Sequence, residues 1–208
     1  AGFSIVSYTG TGSSATVGHG LSKAPELSII KNRDATQAWL TPFTVIDDSS
    51  DYMRINDNSA KVNWSVSVPT PTLLNIDGGV SVGGSGTKYI AYCFHSVDGY
   101  SKVGSYTGNG NADGTFVYTG HRVAWFMVKK ASSSGNWRIY DNKRKTFNAN
   151  NQIVYANGTD NDQTTLHPVD FLSNGVKIRG THLDVNTNGG TYIFIAFAET
   201  PFKYSNAK

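Results

Sequence analysis

Ser7-Tyr8-Thr9-Gly10-Thr11-Gly12 returns later in the chain as Ser105-Tyr106-Thr107-Gly108-Asn109-Gly110, and that repetition constrains the fold more than any other feature. Adding 98 carries Tyr8 to Tyr106, Gly12 to Gly110, Lys31 to Lys129 and Trp39 to Trp137, so more than thirty residues keep register without net insertion. The similarity resumes where Gly79-Val80-Ser81-Val82 reads against Gly175-Val176-Lys177-Ile178. Thr87 and Tyr89-Ile90 then read against Thr191 and Tyr192-Ile193, and the match closes on Phe94 against Phe197. Two copies of one unit of about 100 residues are expected to fold as two related domains, residues 1–98 and 99–208.

The material of the repeat suits strands. Only 16% of the residues are charged and two are Met, against 22 Gly and many Ser, Thr, Asn and aromatic side chains, a poor mixture for helices. The expected class is all-β: two duplicated β-sandwich-like, jelly-roll-like units. Asp98 and Gly99 join them with no Pro- or Ser-rich linker, so they are expected to pack together. A single cysteine, Cys93, rules out an internal disulfide framework and leaves the compartment open; it falls where the second copy has Ala196 and reads as a small core side chain. No apolar run reaches the roughly 18 residues of a membrane span, so no membrane insertion is expected. The chain opens on the repeat with neither an initiator Met nor a leader pattern, which reads as a processed product or a piece of a longer polypeptide. The net charge of +3 divides unevenly: residues 1–98 carry six basic and eight acidic side chains, residues 99–208 twelve and seven. That contrast suits an ordinary solvated surface, or a weak dipole favouring head-to-tail contact between subunits.

Alternation over Gly2 to Tyr8 predicts a strand with a slip or bulge near its middle, and Val17 begins a short second strand. Glu26 to Lys31, matched by Ala124 to Lys129, predicts a third, followed by a hairpin that ends on Trp39 in one copy and Trp137 in the other. The copies diverge over residues 41–76 and 141–171, read as surface loops between short strands. Each unit closes on its most apolar strand, Lys88 to Phe94 and Thr191 to Phe197, whose continuous apolarity predicts burial on both faces.

No catalytic motif is present. The five histidines are scattered, with no HExxH, paired Cys/His spacing, GxSxG or phosphate loop. Asn109-x-Asn111-x-Asp113-Gly114 and Asp184-x-Asn186-x-Asn188-Gly189 imitate the first half of a calcium loop but lack its closing acid, with Ile195 in that place in the second. They read as turns, and no metal or other cofactor is expected. Lys143-Arg144-Lys145 is too short a basic run to imply nucleic acid. Sugar binding is the more serious idea, because glycan sites stack an aromatic ring on the sugar face and meet its hydroxyls with short polar side chains. Trp64, Tyr140, Tyr52, Tyr118 and Tyr155 lie in or near the variable polar segments and are the candidate glycan-binding residues. Positions shared by both copies, Tyr8 and Tyr106, Trp39 and Trp137, Tyr89 and Tyr192, are expected to hold the scaffold.

The segments GFSIVSYTGTG, GHGLSKAPELSIIKNR, GGSGTKYIAYCF, GYSKVGSYTGNG and NGGTYIFIAFAETPFKYSNA together cover nearly the whole chain. They resemble a tandem repeat of structural proteins from tailed bacteriophages, marine and cyanobacterial ones especially, usually labelled tail fibre or appendage proteins. One departure is Thr11, where the commoner string has Asn. The resemblance implies a non-enzymatic component of the virion, a homo-oligomer with a trimer favoured, and it brings no catalytic residues. A tail-fibre or receptor-binding part touching a bacterial surface glycan is the expected function. The alternatives are a capsid-decorating or other structural protein in contact with other virion proteins, and a glycan-degrading, tailspike-like enzyme.

Overall fold

The computed structural model describes residues 2–160 and 162–200, which form an all-β protein with a single short helix. The chain divides into two compact units: residues 1–56 with 61–95, and residues 57–60 with 96–208. Asp57 and Asp98 therefore both belong with unit 2, which narrows the charge contrast drawn from the two halves of the sequence.

Unit 1 comprises β1 (Phe3–Thr9), β2 (Ala15–Gly18), β3 (Leu27–Asn32), β4 (Leu40–Phe43), β5 (Asp51–Arg54), β6 (Val62–Asn63), β7 (Leu73–Ile76) and β8 (Lys88–Phe94). Six of them make an antiparallel sheet in the order β1-β8-β3-β4-β5-β6, and β2 pairs separately with β7. Ile30, Leu40, Tyr89, Ala91 and Cys93 on the inner face of the sheet pack against Leu74 and Ile76 of β7 and Val82, a two-layer core. The register of β1 on β8 is unbroken from Phe3 against Phe94 to Thr9 against Lys88, so the expected bulge in the first strand is absent.

Unit 2 comprises β9 (Ser101–Thr107), β10 (Phe116–Tyr118), β11 (Val123–Lys130), β12 (Arg138–Asp141), β13 (Asn150–Tyr155), β14 (Gln163–Leu172), β15 (Gly175–Ile178), α1 (Leu183–Asn186) and β16 (Thr191–Ala198). Its eight strands form one sheet, β10-β15-β14-β13-β12-β11-β16-β9. The sheet curls around its own core, so that Val117 from one end of the strand order and Tyr106 from the other share a cluster with Phe126, Val176 and Phe194. Strands β9, β16, β11, β12 and β13 repeat the order of β1, β8, β3, β4 and β5. The difference lies in the variable segment. In unit 2, β14 links β13 to β15, whereas in unit 1 the corresponding stretch holds Pro69 and Pro71. Pro69 and Pro71 each remove an N–H donor from that stretch, and β7 bonds to β2 alone.

The repeated YTG(T/N)G string is a backbone clamp. Gly10 N–H donates to Thr87 O and Gly12 N–H to Gly83 O; in unit 2 Gly108 donates to Gly190 O and Gly110 to Asn186 O. A Cβ on Gly10 would lie 2.3 Å from Gly84 O and one on Gly108 would lie 2.4 Å from Thr187 O, while Gly12 and Gly110 adopt φ of +79° and +66°. Hence both glycines of the string are required, one for close approach and one for its dihedral. The repeated tyrosines complete the clamp. Tyr8 stacks on Tyr89 at 5.2 Å and Tyr106 on Tyr192 at 4.9 Å. Tyr8 Oη donates to Val82 O and Tyr89 Oη to Val80 O, as Tyr106 Oη does to Val185 O and Tyr192 Oη to Leu183 O. These bonds correct the alignment: Val80 and Val82 correspond to Leu183 and Val185, not to Val176 and Ile178. The strand pairs place Leu74 opposite Val17 and Val176 opposite Val117, so Val176 corresponds to Leu74 instead.

The closing strands differ from expectation in one unit. In β16 Tyr192 to Ala196 are all buried, as continuous apolarity predicts, but β8 alternates, with Ile90, Tyr92 and Phe94 only half-buried.

Candidate functional site

A shallow cleft lies in unit 1 beside Trp64. Trp64 directly follows β6, ahead of a Ser- and Pro-rich run that forms no further strand before β7. Its N–H donates to Ser50 O at 2.8 Å, and Val66 N–H donates back to Trp64 O at 2.7 Å. The indole edge is fixed: Nε1 donates to Asp77 Oδ2 at 2.7 Å, and Tyr52 meets the ring edge-on at 6.2 Å. Besides Trp64 the cleft is lined by Pro42, Ser28, Ser50, Ser67 and Asn75, an apolar floor with hydroxyl and amide groups around it. Asn75 is itself oriented by a bond from Nδ2 to Val68 O. The cleft is far smaller than the roughly 300–1,000 Å³ of sites that engulf a drug-sized molecule; it offers a shallow surface for the edge of a small ring.

Two of the five aromatic candidates thus come together here, Trp64 and Tyr52. The other three lie in unit 2 and behave differently. Tyr140 is completely buried, packs near Phe126 and donates its hydroxyl to His167 O, with burial pushing that hydroxyl up to about 12. It is a core residue and offers no face to a sugar, which corrects its choice as a glycan-binding candidate: β12 turns it inward, as the pleat turns Pro42 of β4 into the cleft. Tyr155 lies half-buried with its ring 5.7 Å from the Arg138 guanidinium. Tyr118 is 64% exposed on β10 next to the exposed Phe116, away from the other four in sequence and in strand order.

Residues that sequence reasoning passed over form a polar cluster in the core of unit 2. Arg138, 2% exposed, donates from Nε and Nη2 to Asp184 Oδ2 at 3.1 and 2.9 Å. His182 Nδ1 accepts from Arg138 Nη2 at 3.0 Å and from Asp184 N–H at 3.1 Å, capping α1. Two donors on Nδ1 leave the ring proton on Nε2. Burial first, then Arg138 and His167, lower the His182 pKa to about 4. His167 lies over it at 3.9 Å between ring centroids. Arg138 Nη1 is buried without a hydrogen-bond partner. A signal was available: Arg138 stands 98 residues after Leu40, so a guanidinium occupies a core position of the repeat. Its chemistry is that of a structural ion pair, since the carboxylate is committed to arginine and the histidine is too weak a base for proton transfer near neutral pH.

The calcium-like strings are turns built by their own side chains. Asn109 Oδ1 accepts from Asn111 N–H, and Asn111 Oδ1 from Asp113 N–H. Asn186 Nδ2 donates to Asn109 Oδ1, Asn111 O and Gly180 O, while Asp113 pairs with Lys177 and, more distantly, Arg179. Among the described residues no cluster of His, Cys, Asp or Glu has metal-binding geometry.

Fold and site define a tandem all-β protein in which two copies of one unit carry different surface features on a shared backbone scheme. The chain belongs to the family described as a domain of unknown function (DUF7483), whose model matches residues 1–201. No curated protein and no solved structure matches it.

Proposed function

We propose that the chain is a non-enzymatic virion protein of a tailed bacteriophage, a tail-fibre or receptor-binding component that contacts a glycan of the bacterial surface through the Trp64 cleft. The observation that carries the binding site is an anchored indole beside prolines and a rim of Ser and Asn side chains. A sugar presents an apolar ring face and a periphery of hydroxyls, and that arrangement meets both at once. The virion assignment rests on the YTGNG-type segments and their resemblance to phage appendage repeats. Trp64 is packed partly into the core, so its replacement by Ala would mix stability with binding. The cleaner test fills the cleft from its exposed rim. Ser67→Trp is expected to leave the melting temperature unchanged and to weaken binding to host cells, or to the responding members of a glycan array, at least tenfold. If the purified protein binds no glycan and no host cell, while particles lacking it adsorb normally but lose physical robustness, the decorating role replaces the receptor role. The exposure of Phe3 and Ile5 on unit 1 is the feature that favours that second reading.

A further inference from the structure

The outer face of the unit 1 sheet, the side turned away from its core, is apolar and open. Ile5 is 57% exposed and Phe3 42%, beside the half-buried Tyr92 and Phe94 on β8. The same positions in unit 2 are closed: Ser101, Val103 and Ile195, which stand where unit 1 has Phe3, Ile5 and Tyr92, are all buried. The lysines at one end of this face show what covers it there. In unit 2 Lys129 is fully buried, and its Nζ donates to Ser59 O at 2.8 Å, to Lys130 O at 2.7 Å and, at the limit, to Asn58 O at 3.4 Å. Gly135 N–H also donates to Asn58 O. The segment that caps Lys129 is thus Asp57–Ala60, which is coded in the first repeat but belongs to unit 2. Lys31, the counterpart in unit 1, has no such segment and bonds instead to Gln37 O in its own loop.

The second repeat carries the matching segment. Asn56 Oδ1 accepts from Trp39 N–H, and Asn157 Oδ1 accepts from Trp137 N–H, which sets Thr159 and Asp160 against Asn58 and Ser59. Residues 158–160 are all exposed. We propose that residues 158–160 of one copy of this chain dock on the Lys31 end of the open unit 1 face of a second copy, so that the chain assembles head to tail. The contact repeats between molecules what Asp57–Ala60 does for Lys129, with Asp160 bringing a carboxylate towards the Lys31 ammonium and the surface around it covering Phe3, Ile5 and Tyr92. Such a contact uses different surfaces on the two partners, so it is made reciprocally in a two-fold dimer, repeats around a larger ring or continues as an open array. The proposal is independent of the sugar-binding reading, because its readout is mass.

The test uses the full chain in light scattering and sedimentation over roughly 1–100 μM, the range in which standard-size interfaces form. The wild type is expected to be a dimer or larger. Ile5→Asp, at an exposed position, is expected to keep the wild-type melting temperature and to become monomeric, since a buried unpaired carboxylate weakens association on the order of a hundredfold or more. Asp160→Arg is expected to dissociate the assembly as well. Mixed, the two variants should give a one-to-one pair that neither forms alone, because each keeps the surface the other has lost. A wild-type monomer, an Ile5→Asp variant that stays assembled, or a mixture that remains monomeric overturns the proposal.

Discussion

Trp39 and Trp137 occupy one position of the repeat, end the same hairpin and hold their backbone N–H on equivalent asparagines, yet Trp39 is 36% exposed and Trp137 only 1%. Trp39 shares its surroundings with Lys31, whose Nζ lies 5.8 Å from the ring. Leu40, the next residue, is an ordinary core side chain, whereas its counterpart Arg138 is a buried cation with its own carboxylate and histidine. Duplication preserved the hydrogen-bonded frame and released what the frame encloses. Clamp residues such as Gly10 and Gly108, or Tyr89 and Tyr192, do identical work in both units because their partners are backbone atoms. Side chains that meet other side chains were free to diverge, provided each change was compensated nearby.

That comparison breaks most sharply at Arg138. Arg138→Leu installs the residue of the first copy but strands the Asp184 carboxylate, and a loss of about 3–5 kcal/mol is expected in denaturant unfolding. Asp184 corresponds to Ser81, in the register that matches Tyr192 with Tyr89. The double variant Arg138→Leu/Asp184→Ser is therefore expected to recover most of the loss, as removal of a whole buried pair is often close to neutral. If the double variant is as unstable as the single, the ion pair is not the compensation it is taken to be.

Trp137→Ala is expected to cost about 3–5 kcal/mol, as large deletions from a core do. Trp39→Ala should cost about 1 kcal/mol, because much of that ring is already in water. Equal losses in equilibrium unfolding would mean that Trp39 is covered in solution.

Lys129→Ala removes a donor from three backbone carbonyls and should cost about 2–3 kcal/mol. Lys31→Ala is expected to stay within about 0.5 kcal/mol, as is usual for surface substitutions. Burial also drives the Lys129 pKa down to about 8.

The smallest effect expected is a pH dependence from the histidines of unit 2. His182 is held neutral to about 4, and burial lowers His121 as well. As pH falls from about 6.5, the unfolded chain takes up protons that the folded protein refuses, so stability falls through that window and is regained as pH rises. About 1 kcal/mol is expected for His182 after discounting for its partial exposure. Melting temperatures between pH 7 and 5 should show the slope, and His182→Gln should flatten it; an unchanged slope would place the titrating group elsewhere.

The offset of 98, the YTG(T/N)G strings and the shared tyrosines were enough to read two all-β units with closing strands at Lys88–Phe94 and Thr191–Phe197, the second of which runs one residue further, to Ala198, because those residues act through backbone geometry that any copy must reproduce. The site was less legible. Trp64 and Tyr52 were readable as aromatics in a polar segment, but only the fold brings Ser67, Pro69 and Asn75 to the cleft and Asp77 to the indole Nε1. Tyr140 was misread because a strand's inward or outward phase in a divergent segment is set by its partner's register, and one residue of slip inverts it.

What the sequence alone determined is therefore the repeated frame: glycines where no Cβ fits or φ is positive, and tyrosines whose hydroxyls reach carbonyls, are local requirements visible residue by residue. Only the tertiary structure decided burial. Whether Trp39 or Trp137, Lys31 or Lys129, Ile5 or Val103 leaves water depends on what another stretch of chain lays over it. That cover, like residues 57–60 over Lys129, comes from segments remote in sequence whose position no local pattern encodes.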